Sequence, residues 1–151
     1  MTVLPEDTAK DPADFRSLRY AVRHDPEIGS GFVWINNHLR RRKPAYHPDV
    51  TLTLDTGHGI VSTPPVNIRD HDIRILPYNL PLGDGCVLTA SNATPLCRIG
   101  FRWFFYTDDV PVYRFAGKEA EIITLTNAES LRAFLLGDRL YVTDRDDCLL
   151  Y

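Results

Sequence analysis

Cysteine is scarce in this chain of 151 residues: Cys86, Cys97 and Cys148 are the whole set. Three thiols so far apart make no disulfide framework, and none pairs at the CxxC spacing of a zinc site, so all three read as reduced. Long apolar runs are missing too. Nothing approaches the roughly 18 consecutive apolar residues of a membrane helix, and the first twenty residues lack the apolar run of a secretory signal. The expectation is a soluble, cytoplasmic protein with no membrane partner. Without a secretory signal, the acceptor triplet Asn92-Ala93-Thr94 has no route to glycosylation.

Catalytic and ligand signatures are equally sparse. The histidines, His24, His38, His47, His58 and His71, show no HxH, HExxH or Cys–His spacing. There is no GxSxG, no phosphate-cradling glycine loop and no dinucleotide fingerprint. Asp70-His71-Asp72 could polarise an imidazole, but Arg69 and Arg74 beside it make it read as a charge-balanced loop. No metal and no cofactor is expected.

What is present is the composition of an ordinary globule, 44% hydrophobic and 25% charged, at a length that fits one domain over residues 1–151. Residues 1–10 read as a flexible N-terminal arm. Asp11 as N-cap, Pro12 at the first helical position and Asp14 in the first turn predict a helix whose buried face is Phe15, Leu18 and Val22. Thr126 and Glu129 spell a capping box for a second helix, with Leu131, Phe134 and Leu135 on one face and Gly137 as its stop. Between them Val50, Leu52 and Leu54 alternate with Thr51, Thr53 and Asp55, a strand signature. Further strands are expected at Gly59–Ser62, Ile73–Leu76, Cys86–Ala90, Cys97–Tyr106, Val110–Phe115 and Ala120–Leu125. Phe32–Leu39 leans towards a strand. Pro64-Pro65, Pro77, Pro81 and Pro95 read as punctuation between strands. Leu140–Thr143 and Cys148–Tyr151 would close a hairpin around Asp144–Asp147. The class expected is α+β, a mainly antiparallel sheet or barrel with an N-terminal helix and one helix near the C-terminus.

Leu54-Asp55-Thr56-Gly57 at a strand end reads first as a β-turn between strands. With Gly83-Asp84-Gly85 as a flap turn and Leu135-Leu136-Gly137 as a second motif, it also resembles the retropepsin type of aspartic protease. That resemblance implies a homodimer in which two Asp55 carboxylates share a proton and activate a water. The sequence departs from it at His58, where a small residue is expected, and at Leu135-Leu136-Gly137, which ends a capped helix. Tyr46-His47-Pro48-Asp49 resembles the His-Pro-Asp loop of J-domain co-chaperones but lacks the flanking helices.

The remaining signal is charge. Net charge is −3, yet arginine outnumbers lysine fourteen to three, and Arg40, Arg41, Arg42 and Lys43 are consecutive. On the expected first helix Arg16, Arg19 and Arg23 would form a basic stripe. Trp34 and Tyr46 flank the run and could stack on a ligand, although an alternating run such as Phe101, Trp103 and Phe105 belongs in a core strand. From Thr107 onward acids outnumber bases nine to five. The functional expectation is a non-catalytic binding protein whose basic surface centres on Arg40–Lys43. Its ligand would be an acidic protein partner, its own subunits, or RNA or DNA. The retropepsin-like protease using Asp55 is the alternative.

Overall fold

A computed structural model of the chain describes residues 2–3, 11 and 13–143. It is nearly all β. The elements in chain order are β1 (Thr2–Val3), β2 (Tyr20–Asp25), β3 (Ser30–Asn36), β4 (His47–Val50), β5 (Thr53–Asp55), β6 (Ile60–Ser62), β7 (Val66–Ile68), β8 (Ile73–Gly83), β9 (Cys86–Ser91), β10 (Thr94–Ile99), β11 (Arg102–Tyr106), β12 (Tyr113–Gly117), β13 (Glu121–Leu125), α1 (Asn127–Ser130), β14 (Ala133–Leu136) and β15 (Arg139–Val142). The α+β expectation with two helices is therefore corrected to a β-fold with one short helix.

The largest sheet has the order β1-β2-β3-β8-β9-β12. Its register explains the core. Val22 lies opposite Val33, and Val33 opposite Leu76, so three fully buried aliphatics form one row across three strands. Ile35 and Tyr78 extend that face, and Leu54, Val66 and Ile68, from the two-stranded ribbons β5–β6 and β4–β7, cover it. In the next row His24, Gly31 and Tyr78 are neighbours. A Cβ at Gly31 would meet the Arg23 carbonyl and the Tyr78 ring, so glycine is what lets that ring lie across β3. The Tyr78 hydroxyl reaches His24 Nδ1 at 3.0 Å, and burial pushes its pKa up to about 12.

A second core joins Leu82, Cys86 and Leu88 to Ala93 and Phe105. It lies where β8 and β9 meet the three-stranded sheet β10-β11-β13, in which β11 and β13 run parallel.

Several sequence expectations change here. No helix follows Asp11. Its carboxylate accepts from Ala13 N–H at 2.8 Å and that of Asp14 from Arg16 N–H at 2.8 Å, so both acids close turns rather than cap a helix. Val22 belongs to β2. The Thr126–Glu129 capping box does form, with each side chain bonded to the other's backbone, but α1 spans only four residues. Ala133–Leu136 is instead β14, paired with β15 through Phe134↔Tyr141 and Leu136↔Arg139. Gly137 at φ 64 followed by Asp138 makes a two-residue hairpin turn, not a helix stop. β15 therefore pairs backwards with β14; Cys148–Tyr151, proposed as its partner, lies outside the described residues, as does most of the expected N-terminal arm.

Pro77 and Pro81 sit inside β8 rather than ending it. Each occupies a stretch with one neighbouring strand only. β3 pairs with β8 as far as Tyr78, and β9 pairs with it from Tyr78 onward, so Pro77 and Pro81 stand at local edges where a missing N–H is tolerated. The single strand expected over Cys97–Tyr106 is the β10–β11 hairpin, turned at Gly100.

Candidate functional site

The run Arg40–Lys43 lies in the connection from β3 to β4, and all four residues are exposed. What positions it is Asn37. This residue is buried, and its side-chain amide donates to the Ala45 and Arg69 carbonyls at 2.8 Å each. The two ends of the loop are thereby cinched together. At the tip, Arg42 N–H approaches the Leu39 carbonyl at 3.4 Å, and Arg41 takes φ 64, a left-handed conformation that a non-glycine residue adopts at a cost.

The loop then lies along the segment that precedes β2. Ala45 N–H donates to the Phe15 carbonyl at 2.9 Å, and Arg42 Nη1 to the Ala13 carbonyl at 3.3 Å. Lys43 pairs with Asp70 at 3.6 Å. Two basic groups that the sequence separates by more than twenty residues are thus partly united. Arg16 stands beside the turn, its guanidinium 5.6 Å from the Phe15 ring centre. Arg16, Arg40 and Arg41 make no ion pair among the described residues. Tyr46 closes the patch, exposed, with its hydroxyl donating to Asn67 Oδ1 at 3.0 Å.

Arg19 and Arg23 are not on this patch in the way a helical stripe would place them. Arg19 folds back so that Nη2 donates to the Asp14 carbonyl at 2.6 Å and the Asp11 carbonyl at 3.1 Å. It organises the Asp11–Ser17 turn, where hydrogen bonds from Ser17 and the Arg16 amide hold the Asp14 carboxyl down at about 2. Arg23 lies in β2 between the buried Val22 and His24, so it faces outward from the large sheet. Trp34 shares that outer face, since Arg23 is opposite Phe32 and Ala21 opposite Trp34.

Asp55 ends β5 in a hairpin with β6. Its Oδ1 accepts from Gly57 N–H at 3.0 Å, Thr56 Oγ1 donates to the Gly59 carbonyl at 2.8 Å, and the His58 ring lies 2.9 Å from the Pro26 carbonyl through Nε2. The Asp55 and Thr56 side chains thus serve the turn, and the His58 ring ties it to the β2–β3 loop. His47-Pro48-Asp49 is strand β4.

Cys86 and Cys97 are free thiols whose pKa values burial raises, which keeps them protonated and poorly nucleophilic. Asn92, the acceptor-like asparagine, is buried and donates to the Pro65 and Val110 carbonyls. Among the described residues no group of three or more His, Cys, Asp or Glu could hold a metal ion, and no helix is long and apolar enough to cross a membrane.

Asn37 was not a sequence candidate, because its two acceptors lie eight and thirty-two residues away. The only local hint is an Asn-Asn pair at a strand end. Compared with family models, curated proteins and solved structures, the chain matches none.

Proposed function

We propose that this protein is a non-catalytic binding module that engages an acidic protein partner through the basic turn Arg40–Lys43. The observation that carries this reading is the pinned turn: buried Asn37 fixes its base, while Arg16, Arg40 and Arg41 project without ion pairs among the described residues. A loop held in place loses less entropy on binding than a loose one. Guanidinium groups suit bidentate contact with carboxylates, and the exposed rings of Phe15 and Tyr46 supply apolar contact beside them.

Carboxylate fits this patch better than a phosphate backbone. Lys43 already pairs with Asp70, while Arg42 gives one Nη1 hydrogen to the Ala13 carbonyl and keeps its charge, leaving four cations outside any ion pair among the described residues. Nucleic-acid binding grows with each phosphate neutralised, and four contacts is a thin footprint for a phosphate backbone.

Fluorescence anisotropy with a labelled oligoglutamate peptide and a labelled single-stranded DNA of equal charge tests the reading. The peptide should bind, with affinity falling about tenfold or more in the Arg40→Ala/Arg41→Ala variant and falling with salt. Tighter binding of the DNA, or peptide binding that ignores both arginines, overturns it.

A further inference from the structure

The hairpin β14–β15 belongs to no larger sheet. A two-stranded ribbon in water is marginal by itself, and this one carries apolar side chains on both faces. Its register puts Phe134 opposite Tyr141 and Leu136 opposite Arg139 on one face. There the Phe134 and Tyr141 rings stack at 5.6 Å, yet both remain 41% exposed and Leu136 66% exposed. Across a groove of about 730 Å³ from the hairpin stands Phe101, at the tip of β10–β11 and 78% exposed. Apolar surface gathered in this way, with a polar rim, marks a protein interface rather than ordinary scatter.

The charges decide what covers it. The groove is rimmed by Asp138 and Arg139 at the hairpin turn and by Arg102 and Glu121, which pair at 2.8 Å. Cations and anions are equal in number, and the hairpin turn presents one of each at adjacent positions. A partner of one dominant charge would leave half of that rim repelled. Arg102 and Glu121 already neutralise each other, so Asp138 and Arg139 are the charges left for a partner, and a two-fold related copy offers each its opposite, because an isologous interface sets residue i against j and j against i. We propose that a second copy of this chain covers the β14–β15 hairpin, packing Phe134, Leu136 and Tyr141 against their equivalents, with Asp138 of each subunit facing Arg139 of the other. This surface shares no residue with the basic turn, so either proposal stands or falls without the other.

Sedimentation velocity over a concentration series of the full chain tests it. The wild-type protein should be dimeric at concentrations of about 10–100 µM, the range of a modest homodimer. Leu136→Glu should give monomer. Because that variant could also unfold the hairpin, the decisive set is electrostatic: Asp138→Arg and Arg139→Asp should each raise the dissociation constant about tenfold, and the double variant should return to within about threefold of wild type. Both positions are exposed, so these variants keep the fold. A wild-type monomer throughout, or a double variant as weak as the singles, overturns the proposal.

Discussion

Asp55 ends β5 as an acceptor for the Gly57 N–H, and an asparagine there keeps a side-chain oxygen in the same place. Asp55→Asn is therefore expected to change unfolding free energy by at most about 1 kcal/mol, as measured by urea denaturation. A loss well above that would show that the negative charge, not the turn, is what the fold uses. Asp14 makes the opposite case. Its folded pKa of about 2 lies below the ordinary 3.8 because Ser17 and the Arg16 amide bond the charged form. A depressed carboxyl stabilises the fold above its unfolded pKa and loses that contribution as pH falls through the folded value. The Asp11–Ser17 turn should thus hold down to about pH 4 and loosen between there and about pH 2. A carboxyl-carbon NMR titration of Asp14 checks this, and a midpoint near 3.8 would contradict it.

The β14–β15 hairpin depends on one backbone torsion. Gly137 at φ 64 occupies the first central position of its turn, where an L-residue costs roughly 1–2 kcal/mol. Gly137→Ala should cost about 1 kcal/mol by that measure, and hydrogen exchange should show faster opening in β14 and β15 while the Val22–Val33–Leu76 row stays protected. Uniform loss of protection would mean that the hairpin and the large sheet open together. The same hairpin explains what could be read in advance at this scale. Leu131, Phe134 and Leu135 fit a helical stripe, but Phe134 and Leu136 fit an alternating strand equally well, and over so few residues the period does not arbitrate. The capping box at Thr126 is real, and the same signal opens a long helix or a single turn. At the other end Asp11 and Asp14 look alike whether they start a helix or close a turn. Several central strands, such as Cys86–Ala90 within β9 and Ala120–Leu125 across β13, were legible as short β-type runs between turn residues, but the alternating run Val50–Asp55 divides between β4 and β5 in separate ribbons, and the passage of β8 through Pro77 and Pro81 depends on which neighbours stop where. The basic turn was legible as charge. Its anchor Asn37 was not, being fixed by contacts distant in sequence.

At the scale of the molecule the large sheet and the chain after the three-stranded sheet are linked through Arg74. It lies in β8 opposite Ile35 and is 1% exposed. Nη2 meets Asp72 Oδ2 at 3.2 Å and Nη1 meets Asn127 Oδ1 at 3.2 Å, at the start of α1. Asn127 N–H in turn donates to Asp108 Oδ1 at 2.9 Å, and Asp108 pairs with Arg69 at 3.5 Å. One guanidinium therefore ties the large sheet to the loop after β11 and to the helix after β13. Its Nε meets no acceptor among the described residues, so the group is buried at some desolvation cost. Removing one member of a buried pair typically costs about 3–5 kcal/mol; because the Asp72 side chain keeps 18% exposure and can recover water, Arg74→Ala is expected near the lower end, about 3 kcal/mol. Arg74→Lys should recover little, since a single ammonium lacks the fork that spans Asp72 and Asn127. Asp72→Asn should cost less than either, as it keeps one acceptor, the amide Oδ1. Chemical denaturation of the three variants orders them, and a lysine variant as stable as wild type would show that Arg74 contributes charge alone and does not link the large sheet to the chain after the three-stranded sheet.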